Sequence, residues 1–197
     1  MSRQFLFGIF LFALTSCASH RAEILTPEQE SNYLKQAQTA TQAMASQLKQ
    51  HLVSAIKSGG PTTAITVCNS IAPALAQQVS EQHKLNIHRV SLKTRNALNQ
   101  PDLFEKQILT QWQADPQQVP TDGIAKVEQQ DNQQIFRYMK PIRIEAACLQ
   151  CHGATETIKP EVKELLKQYY PDDMATGYQE GDLRGAFSVS IPIEKME

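Results

Sequence analysis

Apolar residues recur at helical spacing in the first third of the mature chain. From Leu34 to Ile56 they repeat every three or four positions, which predicts a helix that starts at Thr26 and runs to about Lys57. Thr26 is a suitable N-cap, and the Gly59-Gly60-Pro61 segment is expected to end the helix. A helix of this length is a candidate for self-association.

A second apolar stripe at helical spacing predicts another helix over residues 61–82. Its members are Ala64, Cys68, Ile71, Leu75 and Val79. Pro73 predicts a kink or break near Asn69, because proline cannot donate the hydrogen bond that a helix needs there. The stripe turns Cys68 towards the interior.

The remaining sequence predicts strands separated by short helices. Strands are predicted at 86–92, 124–128, 135–144 and 185–191, and helices at 101–112 and 160–170. Helices that precede antiparallel-type strands indicate the α+β class.

The first 16 residues predict an export signal. Arg3 precedes an apolar run from Phe5 to Leu14, which is too short to span a bilayer but typical of a signal peptide. The run ends in Leu14-Thr15-Ser16-Cys17, which resembles a bacterial lipobox, where the cysteine is acylated and becomes the first mature residue. The alternative is ordinary cleavage near Ala18, which would discard Cys17.

This interpretation divides the chain into a signal peptide over 1–16, a tether over 17–25 and one domain over 26–197. We expect an exported protein that a lipid on Cys17 holds on the periplasmic side of a bacterial membrane. Of the two membranes, the outer membrane is favoured.

Composition narrows the function classes. The chain has 197 residues, 41% of them hydrophobic and 20% charged, with a formal net charge of −1. A neutral balance without a long basic run argues against nucleic-acid binding. The sequence also lacks the glycine-rich phosphate loops, the HExxH motif and the GxSxG motif of several large enzyme classes.

One motif points to specific chemistry. Cys148-Leu149-Gln150-Cys151-His152 has the CxxCH spacing at which two thiols attach one haem and the adjacent histidine binds its iron. A thioredoxin-like redox pair is an alternative, but it needs a long helix after the motif, and His152-Gly153-Ala154-Thr155 does not predict one. A zinc site would need further thiol or imidazole ligands.

Cys68 has no cysteine partner once the motif takes two thiols. It is either a small buried apolar side chain or the second axial ligand of the iron. The competing candidates for that ligand are Met139, Met174, His83 and His88, or no residue at all.

Several segments together resemble the Tll-type family of single-haem c-type proteins with a PAS-like haem domain. The segments are Ala64–Cys68 with Ala72-Pro73, Arg89–Asn96, Cys148–Gly153, Gly177-Tyr178, Gly181-Asp182 and Arg184–Val189. The resemblance implies a PAS-like antiparallel sheet with flanking helices, one covalent haem c, and iron held by His152 and Cys68. Arg95 and Asn96 are candidates for contacts to the haem propionates or to the residues around the haem.

The leading hypothesis is therefore a non-enzymatic c-type cytochrome that transfers electrons to a partner protein or reports redox state. The alternative is a haem sensor. In it, a small gas displaces Cys68, and the protein then signals to a partner. A peroxidase-like enzyme is less favoured. His88 and Arg89 are adjacent on a predicted strand and would face opposite ways, so they do not form a distal pair.

Overall fold

The computed structural model describes residues 25–131 and 133–194. Cys17, the expected signal peptide and most of the expected tether lie outside these residues. The helices are α1 (Pro27–Thr66), α2 (Ala72–His83), α3 (Leu103–Ala114), α4 (Leu149–His152) and α5 (Pro160–Tyr169). The strands are β1 (Asn86–Val90), β2 (Ile124–Gln130), β3 (Gln133–Arg143) and β4 (Leu183–Pro192). Short 3₁₀ turns lie at Ala97–Asn99, Pro116–Gln118 and Ala146–Cys148, and a π-helical turn lies at Val67–Ile71.

The four strands form one antiparallel sheet in the order β1-β4-β3-β2. The last strand, β4, lies in the middle and pairs with both β1 and β3. An antiparallel sheet with flanking helices and a long N-terminal helix confirms the predicted α+β class.

Helix α1 covers one face of the sheet. A capping box at Thr26 starts it, with Pro27 in its first turn. Ala37, Ala40 and Met44 are buried against a core to which α2 and the sheet contribute. The glycine segment that was predicted to end the first helix kinks it instead. Gly60 has a φ of 76°, which is not helical, and α1 then continues to Thr66.

Helix α2 follows α1 through the π-helical turn at Val67–Ile71. The N–H of Ala72 donates to the carbonyl of Val67, five residues back, as a π turn requires. The irregularity predicted from Pro73 is therefore present as a π-helical turn rather than a break.

Helix α3 covers the opposite face, where it buries a charged cluster. The side chain of Glu105 is 1% exposed and lies 3.1 Å from Nε2 of His88 and 3.3 Å from Nη2 of Arg137. Arg137 also donates to Asp102 at 2.6 Å and to Glu128 at 3.2 Å. The cluster links the start of α3 to the sheet, and it gives the buried carboxylate of Glu105 a charged partner in Arg137.

Among the described residues, no helix is both long and apolar enough to cross a membrane.

Candidate functional site

One cavity lies between the C-terminal part of α1, the sheet and the CxxCH segment. Most of its walls are apolar side chains: Leu48, Leu52, Ile56, Ala64, Ile65, Val90, Ile142, Ile144 and Leu166. Cys148, Cys151 and His152 lie on one side of it, and Cys68 also lines it from the π-helical turn. With Arg95, which also lines the cavity, the structure brings together five predicted site residues from three distant parts of the sequence.

The CxxCH residues occupy a 3₁₀ turn and the four-residue helix α4. Cys148 and Cys151 are both free thiols and both partly buried. Burial is the main reason that the pKa of Cys151 is raised. Because only four helical residues follow Cys148 and every strand pair is antiparallel, the described residues do not form the βαβ setting of a thioredoxin-like pair.

His152 is oriented through its outer ring nitrogen. Nδ1 lies 2.7 Å from the carbonyl oxygen of Ala175, so a proton on Nδ1 is donated there and Nε2 remains available to the cavity. Burial, followed by the charges of Arg95 and Arg184, holds the pKa of His152 well below its usual range. The imidazole is therefore neutral at pH 7, which is the form that binds metals.

Arg95 fixes the backbone around this histidine. Its guanidinium donates to Asp173 Oδ2 at 3.0 Å through Nε, and through Nη2 to the carbonyl oxygens of Cys151 at 2.6 Å and Ala175 at 3.3 Å. The Arg95 side chain is 7% exposed and that of Asp173 is 11% exposed. The predicted site residue Arg95 thus lines the cavity, while its hydrogen bonds go to the backbone and to Asp173 around His152.

Asn96 has a different position. Its side-chain oxygen accepts a hydrogen bond from the N–H of Leu98 at 2.9 Å and caps the 3₁₀ turn Ala97–Asn99. It is not among the residues that line the cavity, where Asn99 appears instead. The structure therefore supplies no cavity contact for Asn96.

The competing ligand candidates lie elsewhere. Met139 is buried beneath α3 on the other face of the sheet, and His88 faces Glu105 there. His83 lies in the last turn of α2, and Met174 is 50% exposed. Of the five candidates, Cys68 alone lines the cavity that contains His152.

A family model described as Tll0287-like matches residues 20–192. The chain belongs to the Tll0287-like family. This confirms the resemblance seen in the sequence. The crystal structure of the cyanobacterial heme-protein Tll0287 is similar to this structure with a TM-score of 0.61 and 22% sequence identity. The match covers 88% of this chain and 100% of that chain. No curated protein matches the sequence.

Several cavity residues of this Tll0287-like chain were not predicted as site residues, among them two strand arginines. Arg89 of β1 and Arg184 of β4 line the same cavity as the cysteines and the histidine. For Arg89 the strand pattern of β1 was a usable signal, because neighbouring residues of a strand face opposite sides of the sheet. His88 faces α3, so Arg89 faces the other side. Arg184 had no comparable signal, because its surroundings come from distant segments.

The donor groups surround a space rather than meeting at a point. In the described parts of the chain, no three side chains of His, Cys, Asp or Glu converge closely enough to hold a metal ion by themselves. The arrangement differs from the compact four-ligand set of a structural zinc site. It suits a larger ligand that reaches several of these groups at once.

Proposed function

We propose that this protein is a c-type cytochrome that binds one haem covalently through Cys148 and Cys151. The observation that carries the proposal is the meeting of the CxxCH residues and Cys68 in one cavity with apolar walls. The CxxCH pattern is the attachment motif for this cofactor. The similar crystal structure is that of a heme-protein, which supports the same assignment.

The residues present fit a haem. Free thiols at Cys148 and Cys151 are what thioether attachment needs, and apolar walls suit a porphyrin face. His152, whose Nδ1 contacts the carbonyl of Ala175, would hold the iron through Nε2, and the sulfur of Cys68 would be the second protein ligand. When bound, the haem supplies an iron centre that gains and loses one electron.

The two residues proposed to hold the iron favour electron transfer or redox sensing over turnover of a substrate. If His152 and Cys68 both bound the metal, no coordination position would be open to a substrate. A thiolate from Cys68 would donate electron density and lower the reduction potential relative to a methionine ligand. The protein is therefore proposed not to be an enzyme.

The proposed location follows from the N-terminal sequence. A lipid on Cys17 would hold the domain on the periplasmic side of a bacterial membrane, preferably the outer membrane, as an exported protein. The proposed partner is a redox protein, with no role for nucleic acid. Helix α1 is the proposed surface for self-association.

Magnetic resonance and mass measurements on the matured holoprotein test the proposal. The expected results are an added mass of one haem and, in the oxidised form, a low-spin thiolate signal. Cys68→Ser is expected to lose the signal and keep the haem mass, whereas a double Cys148→Ala/Cys151→Ala variant loses covalent attachment. A colourless matured protein, or a thiolate signal that survives in Cys68→Ser, would contradict the assignment.

A gas-sensing role is the second candidate, and the π-helical turn favours it. Cys68 lies in this turn between α1 and α2, so release of its sulfur would act directly on the junction of two helices. π-helical turns are frequent at functional sites. Spectra of the reduced holoprotein under CO or NO distinguish the two roles, because the absence of any spectral change contradicts the sensor.

A further inference from the structure

Two arginines in the cavity lack an anionic partner. Arg89 lines the cavity, and within the described residues its side chain forms no hydrogen bond or ion pair. Cys68 and Tyr170, the two groups that raise its pKa against burial, are not carboxylates. Burial is the main cause of its lowered pKa. A guanidinium that lines an apolar cavity, partly shielded from water and without a counterion, is unfavourable, so the position suits an anion that binds there.

Arg184 is in a related situation. Its Nη1 donates to Ser91 Oγ at 2.7 Å and to the carbonyl of Lys93 at 3.1 Å, both uncharged acceptors. The guanidinium carbon lies 5.7 Å from the centre of the Tyr178 ring. Burial also lowers the pKa of Arg184. These contacts hold the side chain in place and leave its charge uncompensated.

No acidic residue in the described chain lines this cavity. Asp173 is near, but its carboxylate is already paired with Arg95 at 2.9 Å. Arg143, which also lines the cavity, is exposed and donates to the carbonyl oxygens of Gly181 and Pro116. Two partly buried positive charges therefore remain at the cavity wall, on Arg89 and Arg184.

We propose that Arg89 and Arg184 bind the two propionate carboxylates of the haem. The proposal rests on the proposed haem function and assigns the anionic edge of the same ligand. Two guanidinium groups balance two carboxylates, and the planar fork of arginine suits a carboxylate through paired hydrogen bonds.

The test compares a tetrapyrrole diacid with its neutral diester. The full chain produced without attached haem is titrated with mesohaem, whose ethyl groups cannot react with the thiols, and with mesohaem dimethyl ester. We expect the wild-type protein to bind the diacid at least tenfold more tightly. Arg89→Gln and Arg184→Gln are each expected to lower this ratio several-fold, and the double variant to bring it near one.

Arg143→Gln is the matched control, because it removes a cavity arginine whose hydrogen bonds go to backbone carbonyls, and it is expected to keep the wild-type ratio. Arg89→Lys and Arg184→Lys keep the charge but lose the planar fork, so each is expected to lower the ratio by a smaller factor than glutamine does. If a glutamine variant does not fold, an unchanged ratio in the corresponding lysine variant counts against the proposal. A wild-type ratio near one, or a full ratio in the glutamine variants, overturns the proposal. Failure of wild type to bind either compound would instead contradict the haem function itself.

Discussion

Replacing Arg95 by methionine tests whether this residue holds the CxxCH segment in place. The substitution introduces an apolar side chain of similar length and removes every hydrogen-bond donor of the guanidinium. It leaves Asp173 without its ion-pair partner and deprives the carbonyl of Cys151 of a 2.6 Å hydrogen bond. The carbonyl of Ala175 also loses its bond to Arg95, but it keeps its existing contact with His152.

The expected cost follows from the burial of the pair. Both side chains are almost fully enclosed, at 7% and 11% exposure. Removing one partner of a buried ion pair costs about 3–5 kcal/mol in the free energy of unfolding. With a urea m-value of about 2 kcal/mol/M, this lowers the unfolding midpoint by roughly 1.5–2.5 M.

Equilibrium urea unfolding of the full chain measures this shift, with Arg143→Met as control. Arg143 is an exposed arginine that also donates to two backbone carbonyls, so its loss is expected to cost less than about 1 kcal/mol. A double variant Arg95→Met/Asp173→Asn is expected to be more stable than the sum of its single changes predicts, because the second change removes the unpaired carboxylate. Equal midpoints for Arg95→Met and Arg143→Met would refute the positioning role of Arg95.

Three further predictions concern the rest of the chain. Glu105→Gln is expected to weaken the acid sensitivity of unfolding: burial raises the pKa of Glu105, but hydrogen bonds outweigh this and lower it overall. The carboxylate therefore stabilises the fold above the unfolded pKa near 4.5 and loses this effect as the pH falls, so pH-dependent urea unfolding should be flatter in the variant. Gly185→Ala is expected to cost about 1–3 kcal/mol in thermal or urea unfolding, because its Cβ would overlap the carbonyl oxygen of Val90. Gly177→Ala, also at positive φ but facing open space, is the control and should cost less. Cys17→Ser is expected to move the protein from the membrane to the soluble fraction of fractionated cells, and an unchanged membrane fraction contradicts lipidation at this residue.

Sequence patterns predicted the elements whose signals are local. The Gly59-Gly60-Pro61 segment marked the kink because Gly60 adopts a conformation that other residues avoid. The strand predicted at 185–191 corresponds to β4, which runs from Leu183 to Pro192. In both cases the deciding interactions lie within a few residues of the signal.

Contacts between distant segments were not predictable in the same way. Arg95 and Asp173 are 78 positions apart, and neither residue type nor spacing indicates that they form an ion pair. The sequence therefore predicted a candidate role for Arg95, in contacts to the haem propionates or to the residues around the haem, but not its partners Asp173 and Cys151. Asn96, its neighbour, caps a turn instead, since a short polar side chain often bonds to the backbone two residues ahead.

The π-helical turn explains why one predicted stripe serves two surfaces. Continuous α-helical spacing would place Ala64, Cys68 and Leu75 on a single face. The wider turn at Val67–Ile71 changes the phase between the two helices, so Leu75 packs in the core beneath the sheet while Cys68 lines the cavity. Pro73 favours this arrangement because it has no N–H to offer the carbonyls of the preceding turn. The proline that follows the π-helical turn therefore helps to place the Cys68 thiol at the cavity that His152 also lines, while α2 stays packed in the core.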